Sequence, residues 1–192
     1  MPPDFVVVGH VTRDLTPGGS RLGGTALYAS LTIARLGHSV GLVTRTGPDE
    51  ALRELEEQVE LVRLPAQQTT TFQNVYTSLG REQTIHSVAP PLQTTDIPWA
   101  WLDAPVVLLG PVAGEVSPAL AGRFRTSLVA AAAQGWLRRW DNQGRVRPMN
   151  PKEALGTLPP MGALFLSRED WAGDWQDLEE ACSKFMSIPI EA

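Results

Sequence analysis

The stretch FVVVGHVTRD, residues 5–14, decides the fold. Its first four residues are β-branched or aromatic and run into Gly9, a pattern typical of a short strand buried on both faces. Such a strand usually begins a parallel sheet, and ligands of open α/β sheets bind beyond the carboxyl ends of the strands. Asp14 follows the strand closely, so we expect its carboxylate at the ligand-binding edge.

The remaining chain alternates between strand and helix patterns. Apolar runs predict strands at residues 40–43, 59–64, 106–109, 128–132 and 163–166, and helical patterns occur at residues 25–36, 48–58, 118–124, 151–158 and 171–185. This alternation predicts a three-layer α/β/α fold with helices on both faces of a mainly parallel sheet. Residues 69–88 differ, because β-forming residues alternate there with polar ones around Gly80, and they predict a polar hairpin attached to the sheet.

Composition narrows the class of protein. A chain of 192 residues with 43% hydrophobic and 19% charged residues suits one globular domain. Its net charge of −5 offers no attraction for nucleic acid or an anionic membrane, and we find no signal peptide or spanning apolar run. The single cysteine, Cys182, excludes a disulfide framework and favours a reducing compartment, so we expect a cytoplasmic protein.

Two common phosphate-binding motifs are missing. A dinucleotide fingerprint needs G-x-G-x-x-G at the turn from strand to helix, so that the pyrophosphate meets the helix N-terminus. Here Gly9 leads into His10, and the first predicted helix begins only at Thr25. The sequence has no G-x-x-x-x-G-K-S/T either, which excludes a P-loop.

Four short segments occur in a recognisable order: VGHVTRD at residues 8–14, GGT at 23–25, LG at 36–37 and TGPDE at 46–50. Together they resemble the N-terminal half of the ribokinase-like, or PfkB, carbohydrate kinases, and the resemblance covers about residues 4–182. It implies one incomplete ribokinase-like (Rossmann-like) domain over residues 1–192, with the C-terminal part of the fold missing. It also implies a small β lid, formed by about residues 11–23 and 68–88.

The resemblance implies a substrate site. Asp14 would accept hydrogen bonds from substrate hydroxyls, Gly23 and Gly24 would bring backbone N–H groups close to the sugar, and Phe72 would belong to the lid. The family commonly has Asn for substrate binding where this chain has Tyr28, which leaves the sugar unidentified. Read from the residues alone, Asp14 and the glycines could simply shape turns.

The resemblance also implies a phosphate side. The segment from Ser167 to Asp170 stands where the family has N-x-x-E, whose Glu organises Mg²⁺ and its waters. We therefore expect Ser167 on the phosphate side and Asp170 in the second shell of Mg²⁺, a cation that prefers oxygen ligands. The structural alternative makes Ser167 the N-cap of a helix, with Asp170 at the third position.

Family members continue into a G-A-G-D motif, whose glycine amides form an anion hole and whose Asp removes the proton from the attacking hydroxyl. This sequence reaches Ala192 without that motif. We therefore expect a sugar kinase by ancestry, truncated and inactive alone, whose intact relatives use ATP and Mg²⁺ to phosphorylate a sugar or nucleoside. The lid could also pair two copies into a homodimer. The alternative is a non-catalytic sugar-binding or dimerisation module.

Overall fold

The fold is known from a computed structural model that describes residues 1–78, 80–150, 158–167 and 170. These residues form twelve strands: β1 (Phe5–Val8), β2 (Thr12–Thr16), β3 (Gly19–Gly23), β4 (Val40–Thr46), β5 (Glu60–Pro65), β6 (Thr71–Thr77), β7 (Gly80–Ser87), β8 (Val106–Leu109), β9 (Leu128–Ala132), β10 (Arg138–Trp140), β11 (Val146–Pro148) and β12 (Ala163–Phe165). They also form two α-helices, α1 (Thr25–Arg35) and α2 (Arg53–Gln58).

Six strands make the central sheet, in the order β12-β9-β8-β1-β4-β5. Every pair in this sheet is parallel. The first strand lies in the middle, where Val6 is opposite both Gly41 and Val107. The predicted α/β fold with a mainly parallel sheet is therefore confirmed, and each predicted strand of this sheet is present.

Both faces of the central sheet are buried, as the apolar runs predict. Alternate residues point to opposite faces, so Val7 and Leu42 pack under α1 and α2, while Val6 and Val43 belong to the core of the other face. In the described residues that other face is covered by 3₁₀ turns, which bring in Trp101.

The predicted helix at residues 118–124 is one of these turns, a 3₁₀ helix over Pro118–Arg123. The helices predicted for residues 151–158 and 171–185 lie outside the described residues, except for Leu158. No helix in the described part of the chain is long and apolar enough to span a membrane.

Helix α2 is shorter than its sequence predicts, because it begins at Arg53 rather than near residue 48. Tertiary contacts hold the preceding residues outside a helix. The N–H group of Gly47 donates to the Thr69 hydroxyl at 2.9 Å, and the Glu50 carboxylate pairs with Arg13 at 2.6 Å. These long-range contacts outweigh the favourable acidic first turn.

A second sheet of four strands, in the order β3-β2-β6-β7, joins the carboxyl edge of the central sheet. The polar hairpin predicted for residues 69–88 is present as β6 and β7, paired antiparallel. Residues 12–23, which the resemblance assigned to a small β lid, form the hairpin of β2 and β3. Pairing of β2 with β6, more than fifty residues away in sequence, extends this segment into the sheet.

Candidate functional site

A pocket of about 470 Å³ opens between the second sheet, the start of α1 and the carboxyl edge of the central sheet. The second sheet contributes eight of its lining residues: Thr12, Asp14, Arg21, Phe72, Asn74, Tyr76, Arg81 and Gln83. The first turns of α1, with the glycine before it, and the loops after β8 and β9 contribute the others: Gly24, Thr25, Tyr28, Ala29, Val112, Gln134 and Arg138. The pocket thus lies where open parallel sheets bind ligands.

Asp14 lies on the pocket side of β2, between Arg21 of β3 and Phe72 of β6. One carboxylate oxygen accepts a hydrogen bond from the Thr12 hydroxyl at 3.2 Å, and the other has no hydrogen-bond partner among the described residues. Burial raises the pKa of Asp14, although the Thr12 hydrogen bond and the Arg21 charge act in the opposite direction. The side chain is therefore a partly desolvated acceptor that faces the pocket.

The paired glycines lie against this carboxylate. A Cβ atom at Gly23 would lie 2.5 Å from the free Asp14 oxygen, and one at Gly24 would lie 2.7 Å from the His10 carbonyl oxygen. Gly24 also has a φ of +91°, a conformation that side chains disfavour. Because Gly24 is the N-cap of α1, the start of this helix opens beside Asp14. The structure thus brings Asp14, Gly23 and Gly24 together.

The remaining two predicted substrate residues also line the pocket. Phe72 is 4% exposed and packs with Ile85 and Val112 beneath it. Tyr28, in the first turn of α1, is 54% exposed and forms part of the pocket wall. Substrate binding by all five residues stays a prediction.

Sequence reasoning missed several lining residues. Asn74 and Gln83 form a pair across β6 and β7, in which the Gln83 amide donates to the Asn74 carbonyl at 2.8 Å. The period-2 pattern that starts at Phe72 could have found Asn74 and Tyr76. Arg138 lies in a segment rich in Trp and Arg, residues 135–144, which suggests either a phosphate contact or a structural role, but its place in the pocket wall depends on the turn that follows β9.

Ser167 and Asp170 lie near the pocket without lining it. Asp170 is 4% exposed; one of its oxygens pairs with Arg138 at 2.8 Å, and the other accepts a hydrogen bond from the Ser167 hydroxyl at 2.6 Å. Burial raises the pKa of Asp170, but the Ser167 hydrogen bond and the Arg138 charge outweigh it, so the pKa is lowered.

The hydroxyl of Ser167 donates to the Asp170 carboxylate, so this contact is not the N-cap bond of the structural alternative, in which the hydroxyl would accept. Both oxygens of Asp170 are engaged by protein groups, and the described residues hold no cluster of three or more His, Cys, Asp or Glu that could bind a metal. The carboxylate as placed does not fit a direct Mg²⁺ ligand. Its second-shell role, and the phosphate-side role of Ser167, stay predictions.

A buried polar network fixes the loops beneath the pocket. Glu115 is 2% exposed, and its carboxylate accepts the N–H groups of His10 at 3.0 Å and Ala113 at 2.7 Å, as well as that of Val112. The His10 ring lies 2.8 Å from the Thr70 hydroxyl, and burial lowers its pKa although Glu115 acts in the opposite direction. The ends of β1 and β8 are therefore held by one carboxylate.

Sequence comparison finds a curated relative. The chain is 31% identical over 134 residues to the cytidine kinase of Thermococcus kodakarensis, a match that covers 64% of this chain and 48% of the relative. The chain therefore spans about half the length of that relative. No protein-family profile matches the chain.

Solved structures extend the match to nearly the whole chain. A pyrophosphate-dependent kinase in the ribokinase family, complexed with a pyrophosphate analog and myo-inositol, aligns with a TM-score of 0.74 and 25% identity over 95% of this chain and 69% of that one. Vibrio cholerae fructokinase, with fructose, ADP and calcium ion bound, aligns with a TM-score of 0.62 and 18% identity over 94% of this chain and 67% of that one. Arabidopsis thaliana ribokinase, complexed with ribose and ATP, aligns with a TM-score of 0.58 and 17% identity over 97% of this chain and 69% of that one.

The fold is thus the ribokinase-like α/β fold, and the chain spans part of it. The resemblance seen in the sequence is confirmed: the chain is similar in sequence to a cytidine kinase and in fold to kinases of the ribokinase family.

Proposed function

We propose that the pocket binds the acceptor of a ribokinase-family phosphotransfer, a compound with a sugar, cyclitol or nucleoside hydroxyl. The observation that carries this proposal is the unpartnered oxygen of Asp14, which faces the pocket beside Gly23. Relatives of this fold have been captured with myo-inositol, ribose or fructose, and the curated relative is a cytidine kinase.

Each predicted residue has a task in this proposal. Asp14 accepts hydrogen bonds from two neighbouring hydroxyls, since a carboxylate has several lone pairs and its hydrogen bonds strengthen where water is scarce. Gly24 lets the start of α1 approach the ligand without a side chain between them. Phe72 supplies an apolar surface beneath the ring, and Tyr28 shapes the pocket where the family commonly has Asn.

The second sheet acts as a lid in this proposal. Exposure rises along β6, from 4% at Phe72 to 76% at Tyr76, so the strand extends from the core into solvent. A bound ligand would fill the space below it and exclude water, which strengthens polar contacts at the site. The same sheet ends in β3 and β7; Ile85 of β7 already donates its N–H group to the Gly144 carbonyl at 2.8 Å, so we propose β3 as the edge that pairs with a second copy in a homodimer.

The phosphate donor would approach from the side of Arg138 and Gln134. We propose that Asp170 acts through Arg138, which it holds at the pocket wall, and that Ser167 fixes this carboxylate. Structural relatives include ATP-bound and pyrophosphate-dependent kinases, and ATP with Mg²⁺ is our proposed donor. The 192 residues contain no G-A-G-D motif, so we propose that this chain alone binds the acceptor without transferring a phosphoryl group to it. We propose the cytoplasm as its compartment.

Calorimetry with myo-inositol, ribose, fructose and cytidine tests the acceptor site. We expect at least one compound to bind, and Asp14→Asn to weaken its binding by about 10- to 100-fold, because hydrogen bonds to a charged group contribute about 1.5–3 kcal/mol each. Asp103→Asn, an exposed Asp outside the pocket, is the matched control and should change nothing. Equal affinity of wild type and Asp14→Asn would refute the site.

A further inference from the structure

We infer that the acceptor is a nucleoside rather than a free sugar, because the pocket face of the second sheet places an Asn–Gln amide pair between aromatic side chains, one step beyond Asp14. This inference rests on the proposed function, since it takes Asp14 as the group that binds the sugar hydroxyls.

Strand register orders the pocket face of the second sheet into three rows. Asp14 is opposite Phe72 in the first row, Asn74 is opposite Gln83 in the second, and Tyr76 is opposite Arg81 in the third. Successive residues on one face of a strand are about 7 Å apart, so the third row lies about 13 Å from the first. The pocket lining therefore extends well beyond Asp14.

A single sugar ring does not fill this length. With bonds of about 1.5 Å, the hydroxyl oxygens on opposite carbons of a six-membered ring lie about 5–6 Å apart. A ring anchored on Asp14 reaches the second row only with its outermost atoms and ends before Tyr76. A nucleoside, which joins its ribose to a planar base, extends across the second row towards the third.

The second row has the chemistry of a base-reading group. The Gln83 amide donates to the Asn74 carbonyl at 2.8 Å, which fixes both side chains and leaves the Gln83 carbonyl and the Asn74 NH₂ group available. A fixed acceptor beside a fixed donor matches the edge of a nucleobase, which presents donors and acceptors in a plane. Sugar hydroxyls both donate and accept, so they do not need such a pair.

Aromatic side chains complete the base-binding end. Phe72 lies one row before the amide pair and Tyr76 one row beyond it, and Tyr28 also lines the pocket. Stacking of a base on an aromatic ring contributes about 1–3 kcal/mol, whichever base is present. Among the described residues that line the pocket, Asp14 is the one acidic residue, so none of them offers a second carboxylate that would compete with the amide pair for the donors of the base.

Calorimetry with cytidine, uridine, ribose and myo-inositol tests this inference on the 192-residue chain. We expect one of the two nucleosides to bind at least tenfold more tightly than ribose and myo-inositol. If ribose or myo-inositol binds as tightly as both nucleosides and loses affinity in Asp14→Asn, the inference is overturned while the proposed function stands. If neither these four compounds nor fructose binds, both fail.

Gln83→Leu isolates the amide pair. The substitution keeps the size of the side chain, and we expect it to lower the affinity for the preferred nucleoside about tenfold, towards that of ribose. The matched control is Gln73→Leu, because Gln73 is on the opposite face of β6, where it contacts His86 at 3.1 Å. Thermal unfolding checks that both variants fold. Equal losses in the two variants, or no loss in Gln83→Leu, would contradict the base-binding role.

Discussion

At the scale of single residues, Asp14 should make acceptor binding depend on pH. Its carboxylate must be charged to accept hydrogen bonds from two hydroxyls at full strength. Burial raises its pKa above the ordinary value of 3.8. We therefore expect affinity to fall as pH drops through this raised pKa, at a higher pH than for an exposed carboxyl. Calorimetric titration of wild type between neutral and acidic pH measures this loss, and affinity that is constant down to the ordinary range would contradict it.

The raised pKa of Asp14 also predicts that its charged form lowers the stability of the fold, although the same charge favours acceptor binding. A raised native pKa means that the folded chain binds more protons than the unfolded chain, so the contribution of Asp14 falls as pH rises from its unfolded to its native pKa. Asp14→Asn removes that cost, and we expect its free energy of unfolding at neutral pH to equal or exceed that of wild type. Urea denaturation measures this; a clear destabilisation would mean that the charge stabilises the fold.

Glu115 should matter for stability rather than for ligand chemistry. In Glu115→Gln an NH₂ group replaces one oxygen and faces backbone N–H donors, so at least one buried donor loses its partner. We expect a loss of about 2–4 kcal/mol in the free energy of unfolding. Glu57→Gln, in an exposed ion pair with Arg53, should change it by less than about 0.5 kcal/mol. Similar values for both variants in urea denaturation would contradict the network.

Residues in short local motifs were predictable from the sequence, and residues defined by tertiary packing were not. Asp14, Gly23 and Gly24 converge because one short hairpin carries Asp14 and Gly23, and Gly24 directly follows it. Glu115 gave no signal, and the position of Arg138 in the pocket wall could not be predicted, since both depend on loops whose paths are set by distant partners.

At the scale of elements, tertiary contacts determined where some helices and strands begin and which strands pair. Strands β1, β4 and β8 were predictable, because apolar residues buried on both sheet faces leave a continuous run. The early start predicted for α2 was wrong, because Arg13 pairs with Glu50 of the predicted first turn and Thr69 binds Gly47 just before it. The pairing of β2 with β6 was missed, since no local pattern encodes a partner so far away.

The ion pair between Arg138 of β10 and Asp170, beyond β12, should hold these two segments together. Asp170→Asn removes the carboxylate charge that faces the buried guanidinium of Arg138 at 2.8 Å, and we expect a loss of about 1.5–3 kcal/mol in the free energy of unfolding at neutral pH, the range for a hydrogen bond to a charged group. Glu54→Gln, in an exposed pair with Arg35, is the control and should lose little.

The pH dependence of this loss follows from the lowered pKa of Asp170. Because the native pKa of Asp170 is lowered, its charge stabilises the fold at pH values above its unfolded pKa, near 3.8. This stabilisation is lost as pH falls through the native pKa. The difference between wild type and Asp170→Asn should therefore shrink under acid conditions. A difference that stays constant in urea denaturation from neutral to acidic pH would show that the charge of Asp170 is not its cause.

At the scale of the whole molecule, the sheet order explains why the site lies where it does. The central position of β1 brings the loops after β1 and β8 together, and the second sheet closes over them. Alternation of elements predicted the parallel sheet, whereas the closing of the second sheet over the pocket depends on long-range pairing. The family resemblance, rather than periodicity, suggested a lid.

The chain alone should bind an acceptor without phosphorylating it. A coupled assay with cytidine, ribose or myo-inositol as acceptor, and either ATP with Mg²⁺ or pyrophosphate as donor, measures transfer. We expect no turnover above background, since a positioned base contributes about 10²- to 10⁴-fold and an anion hole about 10²- to 10³-fold. Turnover that survives purification of the chain and disappears in Asp14→Asn would show that these 192 residues are a working enzyme.

The most direct measurement is a crystal structure of the chain with cytidine. We predict the ribose hydroxyls within hydrogen-bond distance of the Asp14 carboxylate, beside Gly23 and Gly24, and the base against Asn74 and Gln83. Cytidine bound elsewhere on the chain, with Asp14 making no contact to a hydroxyl, would contradict the account.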